Sequence, residues 1–165
     1  LTTLTFEGGR SSDLAIKNHA FAGTTKLDQE LVLPATTTEL GESAFEGSGI
    51  TAVRAEAGSK LKNIGKGAFK LTKQLKTATL PPSVESIGES AFEGSTVETV
   101  AVSSNLKSIG KNAFKDAAKL TGFTLPAGVT IGGGAFAGAP VGGIKASSFT
   151  IEGVASSCPA GATLS

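Results

Sequence analysis

The stretch GESAFEGS occurs twice, at residues 41–48 and 88–95, and the two copies lie 47 residues apart. Its Ala-Phe pair recurs along the chain every 22 to 24 residues. An aliphatic residue stands five positions before each Phe, and Gly stands four positions before it in five of six cases. The recurring aromatic residues are Phe21, Phe45, Phe69, Phe92, Phe114 and Phe136. This period predicts a repeat architecture built on the segment [IL]-G-x-x-A-F.

A second apolar pattern lies between these segments. An apolar residue is followed by others three and five positions later, and the last two alternate with polar or small residues, which indicates a half-buried strand. The trios are Leu1-Leu4-Phe6, Ile50-Val53-Ala55, Leu75-Ala78-Leu80, Val97-Val100-Val102, Leu120-Phe123-Leu125 and Val141-Ile144-Ala146, and Leu31 with Leu33 supply a further strand.

A unit with one short strand and one compact turn cannot bury its own apolar edge, so stacked copies must share a core. We therefore predict a repeat solenoid with about seven short parallel strands on one face. The Ile-Gly-x-x-Ala-Phe segments should form turns or short helical turns on the other face. Each Phe should stack on the Phe of the next unit. The recurring Ala beside it indicates that no larger side chain fits at this position.

Charged residues alternate in sign between successive units, so the genetic repeat is a pair of units. Because stacked strands lie about 4.7–4.9 Å apart, we expect each Glu to lie between two Lys residues of neighbouring units. The alternating columns are Glu42-Lys66-Glu89-Lys111 three residues before Phe, Glu46-Lys70-Glu93-Lys115 one residue after it, and Lys62-Glu85-Lys107 seven residues before it.

The repeat pattern covers most of the chain and then decays. We assign residues 1–150 to a solenoid of six Ala-Phe units with a two-unit superperiod, and residues 151–165 to a degenerate terminal repeat or tail. Phe149 aligns with Val129, and Ile151 aligns with Ile131. Cys158 lies in this last part and has no second Cys with which to pair. Residue 1 is Leu and lies inside a repeat, so we expect a processed product or a fragment.

The composition argues against enzymatic activity and against binding of nucleic acid or insertion into a membrane. The net charge is +1, with one His, one Cys and no Trp, Tyr or Met. A near-neutral chain has no global attraction for nucleic acid, and no apolar run approaches the roughly 20 residues that span a bilayer. The G-x-G-x-x-A match at 132–137 is in register with the other turns, and His19 has no catalytic or ligating neighbours in sequence. We therefore predict no enzyme activity, catalytic residue, cofactor or metal.

The [IL]GxxAFxG segment joined to LxxVxI/LP strands resembles the BspA-like, or Treponema-type, leucine-rich repeat family. LPPSVESIGESAFEGSTVETVAV at residues 80–102 is close to that family's pattern, and the resemblance covers residues 1 to about 150. It implies a leucine-rich-repeat solenoid whose strands form the concave sheet. It also implies a noncatalytic module of a secreted or cell-surface protein, often an adhesin, and hence an extracellular location.

The outward face of the strands is the candidate site. Its residues are small and rich in Thr. One interpretation is a shallow platform that binds a protein or glycan; the simpler one is that Thr is common in strands. The predicted partner-binding residues are Arg54, Thr77, Thr79, Thr99, Thr124 and Lys145. The alternative function is a structural protein in which copies of the chain stack end to end into filaments.

Overall fold

A computed structural model describes residues 1–6, 13–140, 144–146, 149–151 and 163–164, the last three segments as backbone only. Strands and turns build this part of the chain, and it contains no helix. The strands are β1 (Leu14–Ile16), β2 (Glu30–Leu33), β3 (Thr37–Leu40), β4 (Ala52–Ala55), β5 (Asn63–Ile64), β6 (Thr77–Thr79), β7 (Ser86–Ile87), β8 (Thr99–Ala101), β9 (Ser108–Ile109), β10 (Gly122–Leu125), β11 (Val129–Ile131), β12 (Ile144–Ala146), β13 (Phe149–Ile151) and β14 (Thr163–Leu164).

The strands form two parallel sheets that run along the solenoid. Sheet A has the order β1-β3-β5-β7-β9-β11-β13, and sheet B has the order β14-β12-β10-β8-β6-β4-β2. Each coil of the chain contributes one strand to each sheet, so every strand pairs with its equivalents one coil away. We number the coils 1 to 6 by their aromatic residue, from Phe21 to Phe136.

Sheet B is the predicted seven-stranded face, and its existence is confirmed. One assignment within it is wrong, because Leu1–Phe6 forms no strand. There, the side chain of Gln29 donates to the Leu4 carbonyl at 2.7 Å and accepts from the Leu4 N–H at 3.0 Å. The side-chain amide satisfies the backbone groups of Leu4 that a neighbouring strand would otherwise pair. The seventh strand is β14 instead.

Sheet A was not predicted as a sheet. The aliphatic residue of each [IL]-G-x-x-A-F segment ends a strand of two to four residues, and Ile64, Ile87, Ile109 and Ile131 stand in register. Strands this short give no period-2 signal in the sequence. The remainder of the segment is a turn, and the alternative of short helical turns is wrong for the described coils.

The turns add a third ladder of hydrogen bonds between coils. In coils 1 to 5, the N–H groups two residues before Phe, at Phe and two residues after it donate to carbonyls of the next coil at 2.6–3.2 Å. In coil 2, for example, Ser43, Phe45 and Gly47 are the donors. The positions two residues before and two residues after Phe have left-handed φ angles of 51–74° in all six coils. The repeat therefore selects Gly or a short polar residue at most of these positions.

The core is a stack of phenylalanines between the two sheets and the turns. Successive rings from Phe21 to Phe136 have centroids 5.0–5.8 Å apart and interplanar angles of 3–22°. The Ala before each Phe is fully buried in coils 2 to 6. The predicted role of the repeated aromatic residue in the core is confirmed.

The conserved spacing of Gly before Phe has a steric cause. A Cβ placed on Gly88 would lie 2.7 Å from the Ile64 carbonyl oxygen and 2.8 Å from the backbone of Gly65 in the preceding coil. The same holds for Gly110 and Gly132, whose Cβ atoms would meet backbone at 2.5–3.0 Å. Coils approach each other closely along this column, and in coils 2 to 6 a Cβ would not fit there.

The end of the chain is described only as backbone. The parallel pairing of β11 with β13 places Phe149 opposite Val129 and Ile151 opposite Ile131, as the sequence alignment predicts. The division of the chain at residue 150 stays a prediction. Cys158 lies outside the described residues.

Candidate partner-binding face

The outward residues of sheet B form two rows that run across the coils. The inward residues of the same strands are buried in the core. The first row contains Glu30, Ala52, Thr77, Thr99 and Gly122, and the second row begins with Val32, Arg54, Thr79 and Ala101. Thr124 and Lys145 pair with each other further along. We call this surface the sheet B face.

The six predicted residues fall into three adjacent pairs on this face. Arg54 stands opposite Thr79, and Thr77 stands opposite Thr99. Thr124 stands opposite Lys145 by backbone register, although the side chain of Lys145 lies outside the described part. The other five side chains are exposed. The arrangement leaves hydroxyl groups and one guanidinium available on a surface of small residues.

Glu30 also lies on this face, although the sequence did not predict it as a partner-binding residue. Its carboxylate accepts a hydrogen bond from Arg54 Nε at 3.0 Å, and about half of each side chain is exposed. The ion pair crosses from the first row to the second and holds the guanidinium against the sheet. The signal in the sequence was the spacing of 24 residues between them, which is one coil.

A depression of about 550 Å³ lies on the same face between β8 and β10. Gly122 is part of its lining, and the methyl group of Thr99 lies over this residue. A Cβ at this position would lie 2.5 Å from Thr99 Cγ2. The depression is lined by Val100, Ala101, Val102, Thr121, Gly122, Phe123 and Thr124.

A second concavity, of about 870 Å³, follows the Gly column outside sheet A in coils 4 to 6. Hydroxyl residues of β7, β9 and β11 form one wall, and Lys111 lies on the other side of the Gly column. The hydroxyl of Ser86 is already used, because it donates to Asn63 Oδ1 at 2.6 Å. The concavity is an open groove whose floor is glycine backbone.

The charge columns pair across coils less completely than predicted. Glu85 has lysines on both sides, Lys62 at 3.6 Å and Lys107 at 2.5 Å. Glu89 and Glu93 each have one ion pair, with Lys66 and Lys70 respectively. Glu42 and Glu46 have none within the described residues, and coil 1 has Asn18 and Ala22 rather than Lys at the positions next to them. Of the five Glu residues, only Glu85 forms ion pairs on both sides. Exposed side chains of this length satisfy only the best-placed contacts.

Two carboxylates are tuned by these neighbours. The hydrogen bond and positive charge of Lys107, aided by Lys62, hold the pKa of Glu85 below its ordinary value of 4.5. The pKa of Glu93 is also lowered: a hydrogen bond from the Ser90 hydroxyl is the largest cause, burial opposes it, and the charges of Lys70 and Lys115 add to the lowering. Both shifts favour the ionised form of these carboxylates.

The described residues hold no group of three or more His, Cys, Asp or Glu side chains that could bind a metal. Within the same ranges, no helix has the length and apolarity needed to cross a membrane. His19 lies on the coil 1 turn with a φ of 55°, at the position that is Ser43 or Gly67 in later coils. The left-handed backbone at this position is shared by all six coils, so His19 is part of the repeat.

Two parallel sheets, a turn ladder and a single-file Phe core define a leucine-rich-repeat solenoid. The sequence matches the BspA type leucine rich repeat region, with 6 copies, over residues 2–120 and 56–158. The chain therefore belongs to the BspA-type leucine-rich repeat family.

Among solved structures, the chain resembles a leucine-rich cell surface protein from Faecalibacterium prausnitzii A2-165, with 19% identity and a TM-score of 0.35. The match covers 90% of this chain and 64% of that one. This chain thus spans less than two thirds of that protein's length. It matches no curated protein.

Proposed function

We propose that this chain is a noncatalytic binding module of a secreted or cell-surface protein, and that it holds a protein or glycan partner on the sheet B face. The observation that carries the proposal is the register of two exposed rows across successive strands. The rows form a continuous platform of small side chains, into which a partner can dock without displacing large groups.

The chemistry of the platform favours polar recognition. Thr77, Thr79 and Thr99 offer hydroxyl groups that both donate and accept hydrogen bonds. Arg54 is prepositioned by Glu30, so less side-chain entropy is lost when it binds a partner. The depression at Gly122 offers room for one protruding group of the partner. We include an extracellular location in the proposal, which is supported by membership of a family associated with secreted and cell-surface proteins.

Charge reversal on the sheet B face tests the proposal. The wild type and the double variant Arg54→Glu/Lys145→Glu are compared on a panel of immobilised glycans and extracellular-matrix proteins. The matched control is Lys26→Glu/Lys119→Glu, which reverses two exposed lysines outside both sheets. We expect the control to keep wild-type binding and the sheet variant to lose at least about tenfold in affinity, since one or two polar contacts are worth about 1.5–3 kcal/mol when charged.

Thermal unfolding separates lost binding from lost structure. Arg54 is exposed, so we expect the melting temperature of the sheet variant to stay close to that of the control. Unaltered binding by the sheet variant would place the site elsewhere and contradict the proposal. End-to-end stacking into filaments is the alternative function, and fibres of the purified chain in negative-stain electron micrographs, formed without a partner, would favour it.

A further inference from the structure

The charged side chains of the turns are only partly paired with one another within one chain. We call turn face the exposed surface formed by the side chains three residues before, one after and two after each Phe. In coils 2 to 5 its charged rungs are Glu42 with Glu46, Lys66 with Lys70, Glu89 with Glu93, and Lys111 with Lys115. Coil 5 also carries Asp116, whose carboxylate leans away from the centre of the face towards Gly138 of coil 6. Coils 1 and 6 carry no charge at these positions, where they have Asn18, Ala22, Gly23, Gly133, Ala137 and Gly138.

The central rungs of the turn face are paired within the chain, and the outer rungs are not. Lys66 lies 3.7 Å from Glu89, and Lys70 lies 3.5 Å from Glu93. Within the described residues, Glu42 and Glu46 of coil 2 and Lys111 and Lys115 of coil 5 form no ion pair. One end of the face is therefore left negative, and the other end is left positive.

This order of signs is complementary to itself when a second copy is turned end for end. A two-fold axis across the turn face, between coils 3 and 4, sets coil 2 against coil 5 of the other copy and coil 3 against coil 4. Every Glu rung then meets a Lys rung, in both columns. A parallel, in-register pair would instead oppose like charges on every rung.

Leu71 supplies an independent observation at the centre of the same face. It is 42% exposed and has a φ of 56°, at a position that is Gly in four of the six coils. A bulky side chain in the left-handed region is strained by about 1–2 kcal/mol, and such strain is a reason to look for function. Its Cδ2 leans towards coil 4, 2.9 Å from where a Cβ of Gly94 would be.

Because its side chain leans towards coil 4, Leu71 lies at the two-fold axis described above, between coils 3 and 4. In the antiparallel pair, the leucines of the two copies meet at the centre, with charged rungs on either side. An apolar centre with a polar rim is the usual anatomy of a protein interface. Symmetric pairs of this kind, in which one patch binds its own copy, are the commonest oligomers.

We propose that two copies of this chain associate in antiparallel orientation through the turn face, with Leu71 at the centre and Glu42 and Glu46 of each copy against Lys111 and Lys115 of the other. The pair leaves both sheet B faces free, so it would present two copies of the platform. The strip of one turn's width is smaller than the roughly 800 Å² per partner of stable complexes. The association is therefore weak and sensitive to salt, because exposed charges are screened within about 8–10 Å at physiological ionic strength.

The test is charge complementation, measured by sedimentation equilibrium at low ionic strength on the purified chain. Variant one is Glu42→Lys/Glu46→Lys, and variant two is Lys111→Glu/Lys115→Glu. Each variant alone opposes like charges at both ends of the pair, whereas a mixture of the two restores Glu against Lys at every rung. We expect dimers of the wild type, at least about tenfold weaker association for each variant alone, and recovery to near the wild-type constant in the mixture. The control Glu98→Lys/Lys119→Glu, which alters exposed charges elsewhere, should associate as the wild type does.

Leu71→Gly keeps the test independent of charge and of folding. Gly adopts the φ of this position without strain, so we expect unchanged or higher thermal stability together with at least about tenfold weaker association. A wild type that stays monomeric at low salt overturns the proposal. Dimers that neither charge variant weakens, or variants that stay monomeric when mixed, also overturn it. None of these results depends on binding at the sheet B face.

Discussion

The steric column of glycines offers the sharpest test of how this solenoid is held together. We consider Gly88→Ala, which adds one methyl group where coil 4 crosses coil 3. The new Cβ would lie 2.7 Å from the Ile64 oxygen, whereas ordinary contacts begin at 3.4 Å, so the coils must separate by about 0.7 Å. The neighbouring hydrogen bond from Gly67 N–H to the Glu89 carbonyl would lengthen from 2.9 Å to about 3.6 Å, which is no longer a hydrogen bond.

The expected cost follows from these distances. Forcing a methyl group into a packed site costs about 1–3 kcal/mol, and each lost hydrogen bond adds about 1 kcal/mol. We therefore expect Gly88→Ala to lower the free energy of unfolding by about 3 kcal/mol, measured by urea denaturation followed by circular dichroism.

Gly47→Ala is the matched control for this substitution. Gly47 has a φ of 62° and no atom within 4 Å of an added Cβ, so Ala there is strained but not crowded. Its cost should be about 1 kcal/mol. Equal losses for the two variants would refute the argument that close approach of the coils, rather than backbone conformation, selects Gly at residue 88.

Two further predictions concern buried hydroxyls and acidic pH. The hydroxyls of Thr37 and Ser48 are buried with no hydrogen-bond partner, so Thr37→Val and Ser48→Ala should each raise the free energy of unfolding in urea by about 1 kcal/mol; a loss would mean that these hydroxyls are paired. Ser90→Gly tolerates the φ of 54° and removes the hydrogen bond that lowers the pKa of Glu93, so the pKa measured by NMR titration should rise towards 4.5. Because the pKa is lowered in the folded protein, this contribution to stability is present above pH 4.5 and is lost as the pH falls through the lowered value; a difference from the wild type that does not change with pH would contradict this.

The sequence predicts the repeat, the Phe core and sheet B because each depends on a side chain that recurs at a fixed position. Phe45 and Phe69 are identical in role and therefore visible as a period. The Gly column is visible for the same reason, although only the backbone distances at Gly88 show why it is required. Sheet A is not visible, because β5, β7 and β9 have two residues each and are defined by pairing between coils.

For the candidate site, the sequence predicts which residues are exposed but not which side chains contact each other. Alternation along a strand tells which residues point outward, so the exposure of Thr77, Thr79 and Thr99 could be inferred. Contacts between coils could not, since they depend on which long side chains reach each other. Arg54 with Glu30 forms an ion pair, whereas Glu46 and Lys70 occupy adjacent rungs and do not.

Leu71 shows where a repeat sequence becomes informative by breaking its own rule. All six coils have a left-handed residue two positions after Phe, and in coils 1 to 5 the N–H there donates to the next coil. Four coils satisfy this requirement with Gly, and Asp116 satisfies it with a short polar side chain of the kind that tolerates this region. A leucine meets the same backbone requirement at greater cost and leaves apolar surface exposed. Gly would serve the fold alone better, and the proposed association through the turn face of a second copy gives the side chain of Leu71 a contact that offsets this cost.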